Sequence, residues 1–138
     1  MSMPVIGMSV LIVDDDPLAR EFAQSILEQS GYSVRVASDG EAAIAALDEQ
    51  HADIVLLDIL MPRKDGLETL LELKRRSPDI AVIATSASVV QMRNDYLAIA
   101  EQFGADAILR KPFTPQTLCT AVAQCGHRDS ADSAPRRA

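Results

Sequence analysis

Aspartates follow two of the most apolar segments of the chain. Asp14 and Asp15 come directly after Val10–Val13, and Asp58 has aliphatic neighbours on both sides. Burying an unpaired carboxylate among apolar residues is costly, so such a residue needs a partner or a chemical role. A carboxylate can attack phosphorus and form an aspartyl phosphate. We therefore expect Asp58 to do chemistry, and we expect the charges of Asp14 and Asp15 to require a cation.

A hydroxyl and an ammonium follow two further apolar segments. Ser86 comes after Ala81–Thr85, and Lys111 follows Ala107–Leu109. Carboxylates, water and a phosphate oxygen are the ligands that Mg²⁺ prefers. Phosphoryl transfer needs mainly positioning and charge neutralisation, which Mg²⁺, a lysine and a hydroxyl donor supply. The set of side chains is complete for that reaction if the fold brings it together.

Alternating strand and helix patterns predict how these residues are positioned. Five short aliphatic segments are predicted strands: Val10–Val13, Val34–Ala37, Ile54–Leu57, Ala81–Thr85 and Ala107–Leu109. Helical periodicity lies between them, which indicates an α/β fold with a doubly wound parallel sheet and strands buried on both faces. In such sheets the ligand site lies outside the carboxyl ends of the strands, where the candidate residues stand.

Apolar stripes at helical spacing predict the buried faces of five helices. The stripes are Leu18, Phe22 and Ile26 beside Ala23 and Leu27; Ala43, Ala46 and Leu47; Leu67, Leu70 and Leu71; Tyr96, Ile99, Ala100 and Phe103; and Leu118, Ala121, Val122 and Cys125. Asp16 and Pro17 are predicted to be the N-cap and first residue of the first helix, and Gly31 to follow its end. Gly104 is predicted to follow the fourth.

The chain length of 138 residues fits one domain. We predict a folded domain over residues 8–125, an N-terminal extension over 1–7 and a disordered tail over 126–138, because the sequence after Cys125 loses its periodicity.

Composition excludes several classes of function. The 13 basic and 20 acidic residues give a net charge of -7, and aromatic residues make up 4%. Binding to the nucleic-acid backbone needs clustered Lys and Arg, and base stacking needs aromatic rings. The sequence shows no signal peptide, membrane span or zinc site, and Cys119 and Cys125 fall too far apart on one predicted helix for a disulfide. We expect a cytoplasmic protein that does not bind nucleic acid or membranes.

The motifs together resemble the receiver domain of two-component response regulators, over residues 8 to 125. Four blocks carry the resemblance: Val10-Leu11-Ile12-Val13-Asp14-Asp15-Asp16, Leu57-Asp58-Ile59-Leu60-Met61-Pro62-Arg63-Lys64-Asp65-Gly66, Thr85-Ser86-Ala87 and Lys111-Pro112-Phe113. The Asp-x-x-Met-Pro-x-x-Asp-Gly pattern is highly specific. The resemblance implies a (βα)5 flavodoxin-like fold with strand order 2-1-3-4-5.

The resemblance also implies roles for the motif residues. Asp58 matches the phosphoacceptor, and the metal ligands are Asp14, Asp15, Asp58 and the backbone carbonyl of Leu60. The remaining matches are Ser86 and Ala87 at the phosphoryl-binding switch, Lys111 as the lysine that pairs with the phosphoryl group, and Pro112 after a cis peptide bond.

Three features depart from the family pattern. Ser86 stands where Thr is commoner, and Thr85 beside it is the alternative switch hydroxyl. Ile108 occupies the switch position where many members carry Tyr or Phe, so coupling through a rotating ring is not expected. The segment from Ser86 to Lys111 is longer than usual. Leu60 and Ser88 occupy positions that tune phosphate lifetime in the family, and the apolar Leu60 predicts a longer-lived phosphate.

The expected function is that of a single-domain response regulator. A histidine kinase or phosphotransfer protein donates phosphoryl to Asp58 with Mg²⁺, and the face formed by the fourth helix, fifth strand and fifth helix then binds a partner. We expect a monomer or a weak phosphorylation-dependent dimer, and no enzyme activity beyond self-phosphorylation and autodephosphorylation.

Two alternatives remain open at this point. Asp14-Asp15-Asp16 satisfies the Asp-x-Asp motif of haloacid-dehalogenase-like phosphatases, but Pro17 follows where that family has Gly-Thr. The other alternative is a receiver fold that serves as a constitutive binding module.

Overall fold

The computed structural model describes residues 7–60, 66–87 and 96–130. Strands and helices alternate along the chain: β1 (Ser9–Val13), α1 (Pro17–Gln29), β2 (Ser33–Ala37), α2 (Gly40–Glu49), β3 (Ile54–Asp58), α3 (Gly66–Arg76), β4 (Ala81–Ala87), α4 (Tyr96–Gln102), β5 (Ala107–Lys111) and α5 (Pro115–Ser130). The five predicted strands are confirmed, with bounds that differ by at most two residues at either end.

The strands form one parallel sheet in the order β2-β1-β3-β4-β5, which confirms the predicted topology. Two apolar clusters cover its two faces. One contains Leu27 of α1 and Leu118 of α5, and the other contains Ala43 of α2, Leu70 of α3 and Ala100 of α4. The sheet is therefore doubly wound, with α1 and α5 on one face and the other three helices on the opposite face.

Local sequence signals start and end the helices as predicted. The Asp16 side chain accepts a hydrogen bond from the Leu18 N–H at 3.0 Å and Pro17 is the first residue of α1, so Asp16 is an N-cap. Gly31 follows α1 with a φ of 100°, a conformation that favours glycine. Because α1 starts directly after this cap, the acidic turn between β1 and α1 has a fixed length.

The predicted buried face of α1 is partly wrong. Ala23 and Leu27 are buried, but Leu18 is 74% exposed and Phe22 is 45% exposed. Ile26 of the same predicted stripe is half-buried and packs against the cluster that contains Ala23 and Leu27, so only Leu18 and Phe22, nearer the start of α1, face solvent. Other stripe members that are exposed are Leu71 of α3 and Phe103 at the end of α4.

Burial on both faces holds for the inner strands β1, β3 and β4 but not for the sheet edges. In β2 only Ala37 is buried, and no residue of β5 is fully buried. An edge strand has one neighbour instead of two, and the helices cover the centre of the sheet best.

The fifth helix is longer than predicted. It continues to Ser130, past the predicted domain end at residue 125, and Cys125 and Gly126 are both buried. Extending a helix that is already packed adds a backbone hydrogen bond for each residue it orders, so it needs no further apolar periodicity. Residues 1–6 of the predicted extension, 131–138 of the predicted tail and 88–95 of the long segment between Ser86 and Lys111 lie outside the described residues. No helix in the described part of the chain is long and apolar enough to span a bilayer.

Candidate functional site

The predicted site residues meet at the carboxyl ends of four strands. Asp14 follows β1 directly, Asp58 is the last residue of β3, and Lys111 is the last residue of β5. In the strand register Asp58 lies opposite Thr85, and Lys111 lies opposite Ala87. Parallel strands therefore bring residues that are far apart in sequence to one edge of the sheet, as the alternating pattern predicts.

Asp14 is held at four points. Its N–H donates to the Ala37 carbonyl at 3.1 Å, and its own carbonyl accepts from Arg20 Nη1 at 2.7 Å. In the side chain, Oδ1 accepts from the Asp16 N–H at 3.0 Å and Oδ2 accepts from Lys111 Nζ at 2.8 Å. Asp14 is buried, so these bonds compensate for the loss of water around its polar atoms.

Asp58 is also buried, with an exposed fraction of 6%. Its Oδ1 accepts a hydrogen bond from the Leu60 N–H at 3.1 Å, and its Oδ2 lies 3.6 Å from Lys111 Nζ. Burial raises the pKa of the Asp58 carboxyl to about 6 although Lys111 acts to lower it, and the negative charges of Asp14 and Asp15 raise it further. Asp58 is therefore a buried carboxylate that is still mostly ionised at pH 7.

Lys111 is the cation that the acidic cluster requires. Burial acts to lower the pKa of its ammonium, but the hydrogen bond that it donates to Asp14 and the charges of Asp58 and Asp14 together hold that pKa above its usual value. The amine is thus charged throughout the neutral range. The Lys111–Pro112 peptide bond is cis, the isomer that the resemblance implies.

Backbone contacts hold Ile59 and Gly66 close to Asp58. The Ile59 N–H donates to the Thr85 carbonyl at 2.9 Å, and the Gly66 N–H donates to the Ile59 carbonyl at 3.1 Å. A Cβ atom added to Gly66 would lie 2.4 Å from the Ile59 Cα and 2.5 Å from the Asp58 carbonyl oxygen. Only glycine allows the start of α3 to approach Asp58 and Ile59 this closely.

The carboxylates provide the oxygen ligands that a divalent cation needs. Asp14, Asp15 and Asp58 each offer one oxygen within 4.8 Å of the others, and Asp15 is exposed. Two buried ligands and one open to solvent fit Mg²⁺, which binds carboxylate oxygens and keeps several waters. Leu60 is half-buried beside them.

Both candidate hydroxyls are buried near the end of β4. Side chains alternate between the faces of a strand, so Thr85 faces the side of Asp58, its partner in the register. Ser86 faces the other side, as does Ile108, which packs against the cluster under α2, α3 and α4. Ser86 and Ile108 therefore share a face of the sheet.

Sequence reasoning missed two features around the site. Arg20 donates a hydrogen bond to the Asp14 carbonyl. The only sequence signal for this contact is the position of Arg20 one turn after the Asp16 N-cap. Phe22 and Phe113 pack with ring centroids 6.1 Å apart, which connects α1 with the loop after Lys111. Part of the Met-Pro block, residues 61–65, and Ser88 lie outside the described residues.

Comparison with known proteins agrees with this geometry. Residues 10–123 match the family model of the response regulator receiver domain. The chain is 35% identical over 115 residues to the transcriptional regulatory protein CpxR of Klebsiella pneumoniae, covering 82% of this chain and 47% of CpxR. It is 36% identical over 134 residues to the response regulator MprA of Mycobacterium sp. strain KMS, covering 96% of this chain and 55% of MprA.

Solved structures give the same result. The receiver domain of NtrX from Brucella abortus superposes with a TM-score of 0.78 at 30% identity, over 84% of this chain and 96% of that one. A receiver domain protein from Clostridium thermocellum gives 0.81 at 29% identity, over 89% and 97%. The chain belongs to the response regulator receiver domain family, and it spans about half the length of the curated relatives it matches.

Proposed function

We propose that this receiver domain is a phosphorylation switch in which Asp58 accepts a phosphoryl group with the help of Mg²⁺. The contact of one lysine with two buried carboxylates carries the proposal: Lys111 Nζ lies 2.8 Å from Asp14 Oδ2 and 3.6 Å from Asp58 Oδ2. A structural ion pair would need only one carboxylate. A second buried carboxylate, with an exposed third close by, is explained by a cation and a phosphoryl group that enter the same crevice.

The donor in this proposal is a phosphohistidine of a kinase or phosphotransfer protein. A carboxylate oxygen of Asp58 attacks phosphorus, the P–N bond breaks, and the imidazole leaves with the electron pair and takes a proton from water. Mg²⁺ held by Asp14, Asp15, Asp58 and the Leu60 carbonyl would neutralise charge on the phosphoryl oxygens. Lys111 is placed to donate a hydrogen bond to one of them.

An apolar surface beside the crevice supports a protein as donor. Leu18 and Phe22 are exposed at the start of α1, and Phe22 packs on Phe113, two residues after Lys111. Exposed apolar residues that cluster at the edge of a site indicate protein contact. We refer to Leu18, Phe22 and Phe113 as the α1 patch. A docked helix there would hold its histidine close to Asp58.

For output, we propose that the phosphoryl group draws the switch hydroxyl toward Asp58 and biases two existing states of the face formed by α4, β5 and α5. Ser86 is the proposed hydroxyl because it shares a face with Ile108. We further propose single-domain operation, with output through protein–protein contact. The two closed apolar clusters support folding of the receiver on its own.

The proposal is tested by intact-mass spectrometry after incubation with acetyl phosphate. We expect one phosphoryl adduct that requires Mg²⁺ and is absent in Asp58→Asn. Ser86→Ala should still be phosphorylated, but its ¹⁵N amide shifts in β5 and α5 should change much less on phosphorylation than those of the wild type, whereas Thr85→Val should respond as the wild type does. An adduct that persists in Asp58→Asn would contradict the assignment. No adduct under conditions that label another receiver would favour a constitutive binding module.

A further inference from the structure

Arg20 is a charged side chain close to the site that the phosphoryl-transfer chemistry does not use. It is half-buried in α1, and its Nη1 donates to the Asp14 carbonyl at 2.7 Å. A short bond from a guanidinium is charge-assisted and stronger than a neutral one. The contact ties the helix back to the carbonyl at the start of the acidic turn.

The Asp14 carbonyl belongs to the peptide unit that joins Asp14 to Asp15. A peptide unit is planar, so fixing the direction of its carbonyl fixes the plane that contains both flanking Cα atoms. The other contacts of Asp14 hold its N–H and its carboxylate. In the described part of the chain, the hydrogen bond from Arg20 is the contact that holds this plane.

We infer that Arg20 is a positioning residue for the metal site: by holding the Asp14–Asp15 peptide plane, it keeps both carboxylates directed at the place where Mg²⁺ binds. The inference rests on the proposed function. Arg20 acts here through backbone geometry. The charge of Arg20 alone would repel a divalent cation and weaken its binding. Removing Arg20 is therefore expected to lower Mg²⁺ affinity through geometry and to raise it through charge.

Titration of the ¹⁵N-labelled protein with Mg²⁺ measures this effect without any phosphorylation. The shifts of the Asp14, Asp15 and Leu60 amides give the dissociation constant. We expect Arg20→Ala to weaken Mg²⁺ binding about tenfold, the lower end of the effect of removing groups that orient metal ligands. Arg20→Lys keeps the charge and one donor, and it should recover part of the affinity.

Arg35→Ala is the matched control. The Arg35 guanidinium also donates to backbone carbonyls, those of Ala46 at 2.9 Å and Gln50 at 2.6 Å, but at the end of α2. We expect this variant to lose stability in urea to a similar extent as Arg20→Ala and to keep wild-type Mg²⁺ affinity. A loss of affinity in both would show that general destabilisation is the cause and overturn the inference.

Wild-type or tighter binding of Mg²⁺ by Arg20→Ala would also overturn the inference, and tighter binding would show that charge is the dominant effect. If Arg20→Ala does not fold, Arg20→Lys decides the matter: binding weaker than that of the wild type is expected, and unchanged binding contradicts the positioning role. A wild-type protein whose Asp14 and Leu60 amides do not respond to Mg²⁺ would overturn the proposed function as well, which separates the two failures.

Discussion

The ammonium of Lys111 lies closer to Asp14 than to Asp58, at 2.8 Å against 3.6 Å. Lys111 thus stands next to a proposed metal ligand, while the proposed phosphoacceptor Asp58 is only its second neighbour. A cation that takes over the charge of Asp14 would leave the ammonium available for the phosphoryl group on Asp58. The metal and the lysine are therefore expected to be partly interchangeable as charge partners of the acidic cluster.

Lys111→Met tests this exchange. The variant leaves Asp14 and Asp58 buried without their cation, and breaking a buried ion pair costs about 3 kcal/mol. We expect urea denaturation at pH 7 without Mg²⁺ to show a loss of this order, and millimolar Mg²⁺ to restore a large part of it.

Lys74→Met is the control for the Lys111 prediction. Lys74 Nζ pairs with Asp106 at 2.6 Å and is about as exposed as Lys111, but the pair lies outside the acidic cluster. This variant should be destabilised and should gain nothing from Mg²⁺ beyond the wild-type response. Equal rescue of both variants would mean that Mg²⁺ acts elsewhere.

The raised pKa of Asp58 predicts how stability depends on pH. Its folded-state value of about 6 lies above the ordinary value of 3.8, so between these values the folded protein binds more protons than the unfolded chain. The contribution of Asp58 is therefore fully present below pH 3.8 and is lost as pH rises through about 6. Asp58→Asn lacks this loss and should be more stable than the wild type at pH 7.5 by about 3 kcal/mol.

Chemical denaturation at two pH values measures the Asp58 effect. The advantage of Asp58→Asn should shrink toward zero near pH 4, in buffers without divalent cations. Asp53→Asn is a useful comparison, because Asp53 accepts from the Ser9 N–H at 2.9 Å away from the acidic cluster. An advantage of Asp58→Asn that is the same at both pH values would show that ionisation of Asp58 is not its cause.

Gly66 predicts a steric requirement beside Asp58. Gly66→Ala places a Cβ 2.4 Å from the Ile59 Cα, so the loop carrying Asp58 must shift. We expect a loss of about 2 kcal/mol in urea together with slower phosphorylation by acetyl phosphate. Gly104→Ala separates the loss of stability from the slower phosphorylation. The φ of 111° at Gly104 makes alanine costly by about 1 kcal/mol, but the new Cβ would make only an ordinary contact with Lys74. Normal stability and rate in Gly66→Ala would refute the prediction.

The sequence predicted what depends on chain order and residue type. Strand alternation placed Asp14, Asp58 and Lys111 at one edge of the sheet, and the apolar neighbours of Asp58 indicated a buried carboxylate with a chemical role. Both features follow from local sequence patterns. In a parallel sheet the carboxyl ends of the strands lie at the same edge, so residues that follow the strands come together there.

The sequence did not predict contacts that depend on how elements are oriented in space. Leu18 and Phe22 repeat at helical spacing, yet the rotation of α1 on the sheet decides that Ala23 and Leu27 are buried instead. The bond from Arg20 to the Asp14 carbonyl and the approach of Gly66 to Ile59 depend on side-chain direction and loop path. The hydrophobic periodicity of the sequence encodes neither of these two contacts.

The α1 patch predicts a variant that separates two phosphoryl donors. Phe22 is 45% exposed, so Phe22→Ala should cost only about 1 kcal/mol of stability, mainly through loss of the ring contact with Phe113. Acetyl phosphate needs no docking surface, and we expect it to label this variant at the wild-type rate. Transfer from a phosphorylated histidine protein of the cognate system should slow about tenfold or more, because truncating an aromatic anchor at an interface often costs over 1 kcal/mol. Leu71→Ala, which removes a comparably exposed side chain from α3, should leave both rates unchanged. Equal slowing with both donors would place the effect of Phe22 on the chemistry of Asp58, and the patch would then lose its role as the docking surface.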